Sequence, residues 1–341
     1  MGVPLLRSQH ILSRTGLVST VLAACATMVA APAPMAVAAT AVCTVNGREV
    51  SSSVINGTAG NDIIECSDRV PSGVVVSAGD GDDAITVKSS RGDANDGEIY
   101  GGSGQDRIVA ASGFGGDGND GLIDGGAGDD TIRVTGATGG DGNNARIVGG
   151  GGIDTISAEG GRGASGGFTF CNGRTGGDGN DGAIIASGTI STIGGEGGEA
   201  GRNNNVNIDC DGGRGGDGNN ATIRFVAGPA NELIMNGGAG GQGTQAGEGG
   251  DGGDGNDASI TVNARVRAAG GNGGTPGETG SDGGRGGDGT NRRIRVIGPY
   301  ATYDNTLTGG NGGRGNPCGR GGPGNDSTVV GNFTITDGST C

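Results

Sequence analysis

Aspartate and glycine are the residues of this chain whose spacing can do chemistry. Asp82, Asp106, Asp130 and Asp154 recur every 24 residues, and the last three close glycine turns of one design. The turns read GGSGQDRI from Gly101, GGAGDDTI from Gly125 and GGGGIDTI from Gly149. A fixed period predicts a solenoid in which each repeat stacks on the next. Stacking brings equivalent carboxylates to about 4.8 Å, the distance between adjacent strands. At that spacing two unit charges repel by roughly 1 kcal/mol even in water. Such a ladder invites a cation. Calcium, a hard ion that takes six to eight oxygens, suits carboxylates mixed with the carbonyls of a glycine turn.

These turns resemble the hemolysin-type (RTX) calcium-binding repeat, whose nonapeptide is GGxGxDxUx. Three copies match in register; GTAGNDII from Gly57 and AGDGDDAI from Ala78 are weaker, and the likeness is firm over residues 57–157. The resemblance implies calcium in the turns and short strands of a parallel β-roll. Asp106, Asp130 and Asp154 are the leading candidate ligands. Asp62, Asp82, Asp83 and Asp129 in the same turns follow, with Asp117 and Asp120 in a second column. The competing reading is that each aspartate caps its own turn through backbone amides and needs no metal.

The elements that position these residues are read from a second turn. GGDGNDGLI from Gly115, GGDGNNARI from Gly139 and GGDGNNATI from Gly215 continue as GGDGNDASI from Gly252 and GGDGTNRRI from Gly286. One coil thus carries two turns and two short strands, as at Leu122-Ile123 and Thr131–Val134, with single inward aliphatics filling a thin core. Beyond Gly163 the spacing of this turn grows to 34–39 residues, and several of the glycine-rich inserts keep glycine at every third place, as in Gly271, Gly274, Gly277, Gly280, Gly283, Gly286 and Gly289. Three residues per turn is the polyproline-II period. The predicted fold is therefore all-β: a right-handed parallel β-roll or β-solenoid with polyglycine-II-like arms in the C-terminal half. Flexible glycine linkers are the alternative. In the late repeats Asn144, Asn220 and Asn291 replace the sixth-position aspartate, while Arg214 and Arg285 precede Asp217 and Asp288 by three residues, so ion pairs can stand in for metal there.

Residues 1–38 read as a signal peptide, with Arg7 and Arg14, an apolar stretch, and Ala36-Val37-Ala38 for cleavage. Leu22-Ala23-Ala24-Cys25 also fits a lipobox, so the expectation is a secreted protein, with a surface lipoprotein anchored at Cys25 as the alternative. The remaining chain divides into residues 39–162, an N-terminal cap and β-roll, and residues 163–341, glycine-rich coils with a C-terminal cap. Removing the signal takes the formal charge from −15 to −17, which argues against nucleic acid or an anionic membrane as partner, and no membrane insertion is expected after cleavage. Six mature cysteines suggest the pairs Cys43–Cys66, Cys318–Cys341 and Cys171–Cys210.

Catalysis is not expected, because His10, the only histidine, leaves with the signal. The expected role is an exported structural protein that binds calcium ions. A metal-independent adhesin or scaffold that recognises a cell-surface glycan or protein is the second reading, and a polysaccharide-active β-helix enzyme the third.

Overall fold

A computed structural model describes residues 39–167, 170–201, 209–228, 230–244, 246–277 and 282–340. The predicted signal peptide and lipobox lie outside these residues. Among them there is no α-helix, and no helix is long and apolar enough to cross a membrane. The chain folds as a repetitive, elongated stack of parallel strands in sheets of 12, 7 and 3 strands. From Val54–Asn56 onward successive strands alternate between the 12-stranded sheet and the two smaller ones, so each coil gives one strand to either side.

The strand Glu98–Ser103, for example, lies in the 7-stranded sheet. It turns at Gly104 into Arg107–Ala111 of the 12-stranded sheet. The next coil repeats this as Leu122–Ala127 and Thr131–Thr135, pairing Ile99 with Ile123 and Ile108 with Ile132. Strand alternation sends every second residue inward, two in most strands, as with Ile85 and Val87 or Ile132 and Val134. Ile85, Ile108, Ile132, Ile156 and Ile190 form one buried file, and Ile99, Ile123, Ile147 and Ile184 form the file opposite. Burying each such side chain contributes about 1.5–3 kcal/mol, so a chain with few aromatics still builds a continuous core.

The N-terminal end is closed by a hairpin of Ala41–Val45 and Arg48–Ser52, which pairs antiparallel to the first coil. Cys43 and Cys66 are joined there by a disulfide, as the spacing predicts. Cys171 and Cys210 are likewise bonded. Cys318 is disulfide-bonded, and its predicted partner Cys341 lies outside the described residues.

Two features escape the sequence reading. The coil before Asp106 holds 23 residues, not 24: Ala84 pairs with Arg107, which aligns Asp83, and not Asp82, with Asp106. Hydrophobic register decides this, since a one-residue slip would turn Ile85 out of the core. The second feature is an asparagine ladder at the fifth position of the second turn. Asn95, Asn119, Asn143, Asn180, Asn219 and Asn256 are wholly buried, and each Nδ2 donates to Oδ1 of the next at 2.7–2.9 Å. The last donates to Thr290 Oγ1 at 3.1 Å. The repeated GGDGN carried the signal, but without coordinates an asparagine there looks like any turn former.

Replacing Asn143 by Ala strands the buried Asn119 donor and Asn180 acceptor. At about 1–3 kcal/mol for each unpaired group, urea denaturation should show a loss of roughly 3 kcal/mol.

The glycine-rich segments between the later strands are joined by backbone bonds. Gly177 N donates to Gly161 O, Gly216 N to Gly195 O, Gly238 N to Gly216 O and Gly253 N to Gly238 O, each at 2.8 Å.

Candidate functional site

The sixth-position aspartates form one buried column at the turn between the two main sheets. Asp62, Asp83, Asp106, Asp130 and Asp154 are all at most 2% exposed. The backbone amide of each donates to Oδ1 of its successor: Asp62 to Asp83 at 2.7 Å, Asp83 to Asp106 at 2.9 Å, Asp106 to Asp130 at 2.8 Å and Asp130 to Asp154 at 3.3 Å. One oxygen of Asp83, Asp106, Asp130 and Asp154 thus fastens its coil to the preceding one, where the capping reading expected each aspartate to cap its own turn.

The other oxygen does something else. Oδ2 of Asp83, Asp106, Asp130 and Asp154 is buried without a hydrogen-bond partner. Beside Gly101, the Asp106 Oδ2 and the Gly125 carbonyl both crowd the position a Cβ would occupy. Beside Gly125, the Asp130 Oδ2 and the Gly149 carbonyl do the same. Two acceptors converge with no donor between them, and only glycine leaves room for both. Burial, reinforced by the neighbouring carboxylates, pushes Asp130 up to about 7 and raises Asp83, Asp106 and Asp154.

Asp62 differs. Thr58 stands where later coils have glycine, and its amide and hydroxyl donate to Oδ2 at 2.5 and 3.0 Å, while Asn46 donates to Oδ1 at 2.5 Å. The Thr58 amide foremost holds Asp62 below its ordinary value. Asp62 is a satisfied cap.

Asp82 and Asp129 lie in a separate, exposed column at the turn surface. Asp82 accepts from the Gln105 amide at 2.8 Å and Asp129 from the Ile153 amide at 2.7 Å. The structure does not bring them together with Asp106 and its neighbours.

A third column runs through the second turn. Asp117 N donates to Asp93 Oδ1 at 2.8 Å, and the pattern continues through Asp141, Asp178, Asp217, Asp254 and Asp288. Here the late asparagines find their purpose. Asn144 Nδ2 donates to Asp117 at 3.2 Å, Asn220 to Asp178 at 2.6 Å and Asn291 to Asp254 at 2.7 Å. Arg214 contacts Asp217 at 2.7 Å and Asp254 at 3.1 Å. The expected Arg214–Asp217 pair forms, whereas Arg285 directs its amide to Asp251 Oδ1 and makes no ion pair with Asp288 among the described residues.

At the start of this column the sixth position holds Asp96 and Asp120, where three later coils have Asn144, Asn220 and Asn291. Asp93, Asp96 and Asp120 each place an oxygen within 4.8 Å of the others. Arg69 meets Asp96 at 3.2 Å from the exposed side. Burial raises both Asp96 and Asp120, and Asp93 adds to it. This cluster could coordinate a divalent cation. Of the predicted ligands it gathers Asp120; Asp117, in the same turn as Asp120, accepts instead from the Asp141 amide and Asn144 Nδ2.

Compared with protein families, curated proteins and solved structures, the chain matches none. Repeat geometry establishes a solenoid-like scaffold with internal Asp and Asn ladders; the likeness to RTX repeats rests on the turn motif alone.

Proposed function

We propose that this chain is an exported structural solenoid whose aspartate–glycine turns bind calcium, in the manner the RTX resemblance implies. One observation carries the reading: the column of buried Oδ2 atoms of Asp83, Asp106, Asp130 and Asp154 without a donor. A buried carboxylate oxygen facing a carbonyl is costly unless a cation or a proton lies between them. Asp106 with the Gly125 carbonyl and Asp130 with the Gly149 carbonyl supply hard oxygens of the kind calcium takes. The ion's positive charge would offset the stacked carboxylates, and Asp93, Asp96 and Asp120 offer a second cluster. Folding and metal binding are then linked, and calcium outside the cell completes the fold.

The winding is right-handed, as parallel β-crossovers are, and the glycine segments act as polyglycine-II-like arms. Their recurring glycine-to-glycine bonds support that reading. The role in this reading is structural rather than catalytic: one oxygen of each stacked carboxylate fastens coil to coil and the other is left for the ion.

Equilibrium dialysis of residues 39–341 against calcium tests the proposal. Several ions should bind, and replacing Asp106, Asp130 and Asp154 together by Asn should remove those of the turn column. An unchanged stoichiometry would falsify the assignment.

A further inference from the structure

The fold gathers a basic surface that the chain's net charge conceals. Strands Ile223–Phe225, Ile260–Val262 and Ile294–Val296 each bury their outer residues and turn the middle one to solvent. Thr261 pairs with Arg295, and Arg295 with Val330. Counted from the Asn219–Asn256 bridge, Arg224 falls opposite Thr261 in the same row. Arg293 projects beside it, two residues before Arg295. The three arginines are exposed and form no ion pair among the described residues, and no carboxylate shares these outward positions. Arg292, at the rim, is already paired with Asp257 at 3.3 Å. Between and beside the arginines stand the exposed aliphatics Val226, Ile297 and Val330.

We propose that this face binds an acidic polysaccharide laid along the solenoid axis. Arg224 and Arg295 are two strands apart, about 9.6 Å at the usual strand spacing. They can therefore meet successive acidic units of one extended polymer, each guanidinium taking a carboxylate or sulfate in bidentate fashion. The aliphatics and Thr261 meet the C–H faces and hydroxyls of the sugar rings. Three charges fall short of the 4–8 basic residues typical of an anionic lipid surface. The face also carries no aromatic platform of the sort single-stranded nucleic acid stacks on. At physiological salt the screening length is about 8 Å, so a polymer in contact with the arginines feels them most strongly. The patch shares no residue with the aspartate turns, so the proposal stands apart from calcium binding there.

The test is retention of the full mature chain on immobilised polygalacturonate and on dextran sulfate, with calcium and with chelator. Duplex DNA and phosphatidylglycerol vesicles run in parallel, and sedimentation reports self-association. The expected result is salt-sensitive binding to at least one polysaccharide, which resolves carboxylate from sulfate preference. It should fall by about tenfold or more in the Arg224→Gln, Arg293→Gln, Arg295→Gln variant. Arg107→Gln, on the 12-stranded sheet, should bind as wild type, and unchanged melting of the triple variant shows that its fold is intact. Failure of the wild-type chain to bind either polysaccharide, equal binding by the triple variant, binding confined to DNA or vesicles, or arginine-dependent self-association would each overturn the proposal. Loss of turn calcium with retained polysaccharide binding would sink only the calcium reading.

Discussion

In chelator, the protein should melt at a higher temperature at pH 5 than at pH 8. Asp130 is raised from an ordinary carboxylate value to about 7, and Asp83, Asp106 and Asp154 are also raised, in each case chiefly by burial. A carboxyl whose folded value lies above its unfolded one holds more protons when folded across the interval between the two. Its contribution is therefore fully present below about pH 4 and is lost as pH rises through about 7. Asp178, also raised to about 7, and Asp141 and Asp288, raised to about 6, add in the same direction.

Calcium should reverse the trend by binding the ionised form, and at a free concentration near 100 times Kd each site would add about 2.7 kcal/mol. Asp130→Asn separates the two effects. It should raise the melting temperature at pH 8 in chelator, because a buried charge is gone, and lower the gain that calcium brings. Melting curves at both pH values check this directly. If the variant is destabilised in chelator at pH 8 and keeps the full calcium response, the unpartnered Oδ2 is not where the charge cost resides.

The second large effect concerns glycine. A Cβ at Gly216 would overlap the Gly177 carbonyl, a backbone group held on both sides by neighbouring coils. Gly216→Ala should therefore cost about 3 kcal/mol or more, since a backbone cannot move aside as a flexible side chain can. Gly139 is the control. It has a φ of +78°, yet nothing lies within 4 Å of its Cβ position. Gly139→Ala then meets only the left-handed backbone penalty of about 1–2 kcal/mol. Urea denaturation of the two variants should rank them in that order. The reverse ranking would mean that the glycine segments yield under a side chain and are not packed as described.

The repeat was legible in the residues because its physics is local. Glycine turns, the aliphatic two places beyond each aspartate, and the period of about one coil together specify a stack of parallel strands. The Arg214–Asp217 pair and both disulfides between described cysteines followed from spacing along that stack. The sequence also placed Asp106, Asp130 and Asp154 in one column, since their separation equals the coil length.

What spacing could not decide is what each oxygen and amide meets in the next coil. Asp82 and Asp83 are neighbours in the chain, yet one is exposed and the other buried, because the register of Ile85 chooses which faces inward. Asn144, Asn220 and Asn291 read as lost ligands, but they donate to aspartates one coil earlier. Arg224, Arg293 and Arg295, scattered over some seventy residues of an acidic chain, become one surface only when the coils stack. Sequence by itself determined the period and the residue types at each step, because turns and strand alternation act over a few residues. The tertiary structure alone decided the partners, because hydrogen bonds and charges act across the gap between coils, between residues 20 to 40 positions apart.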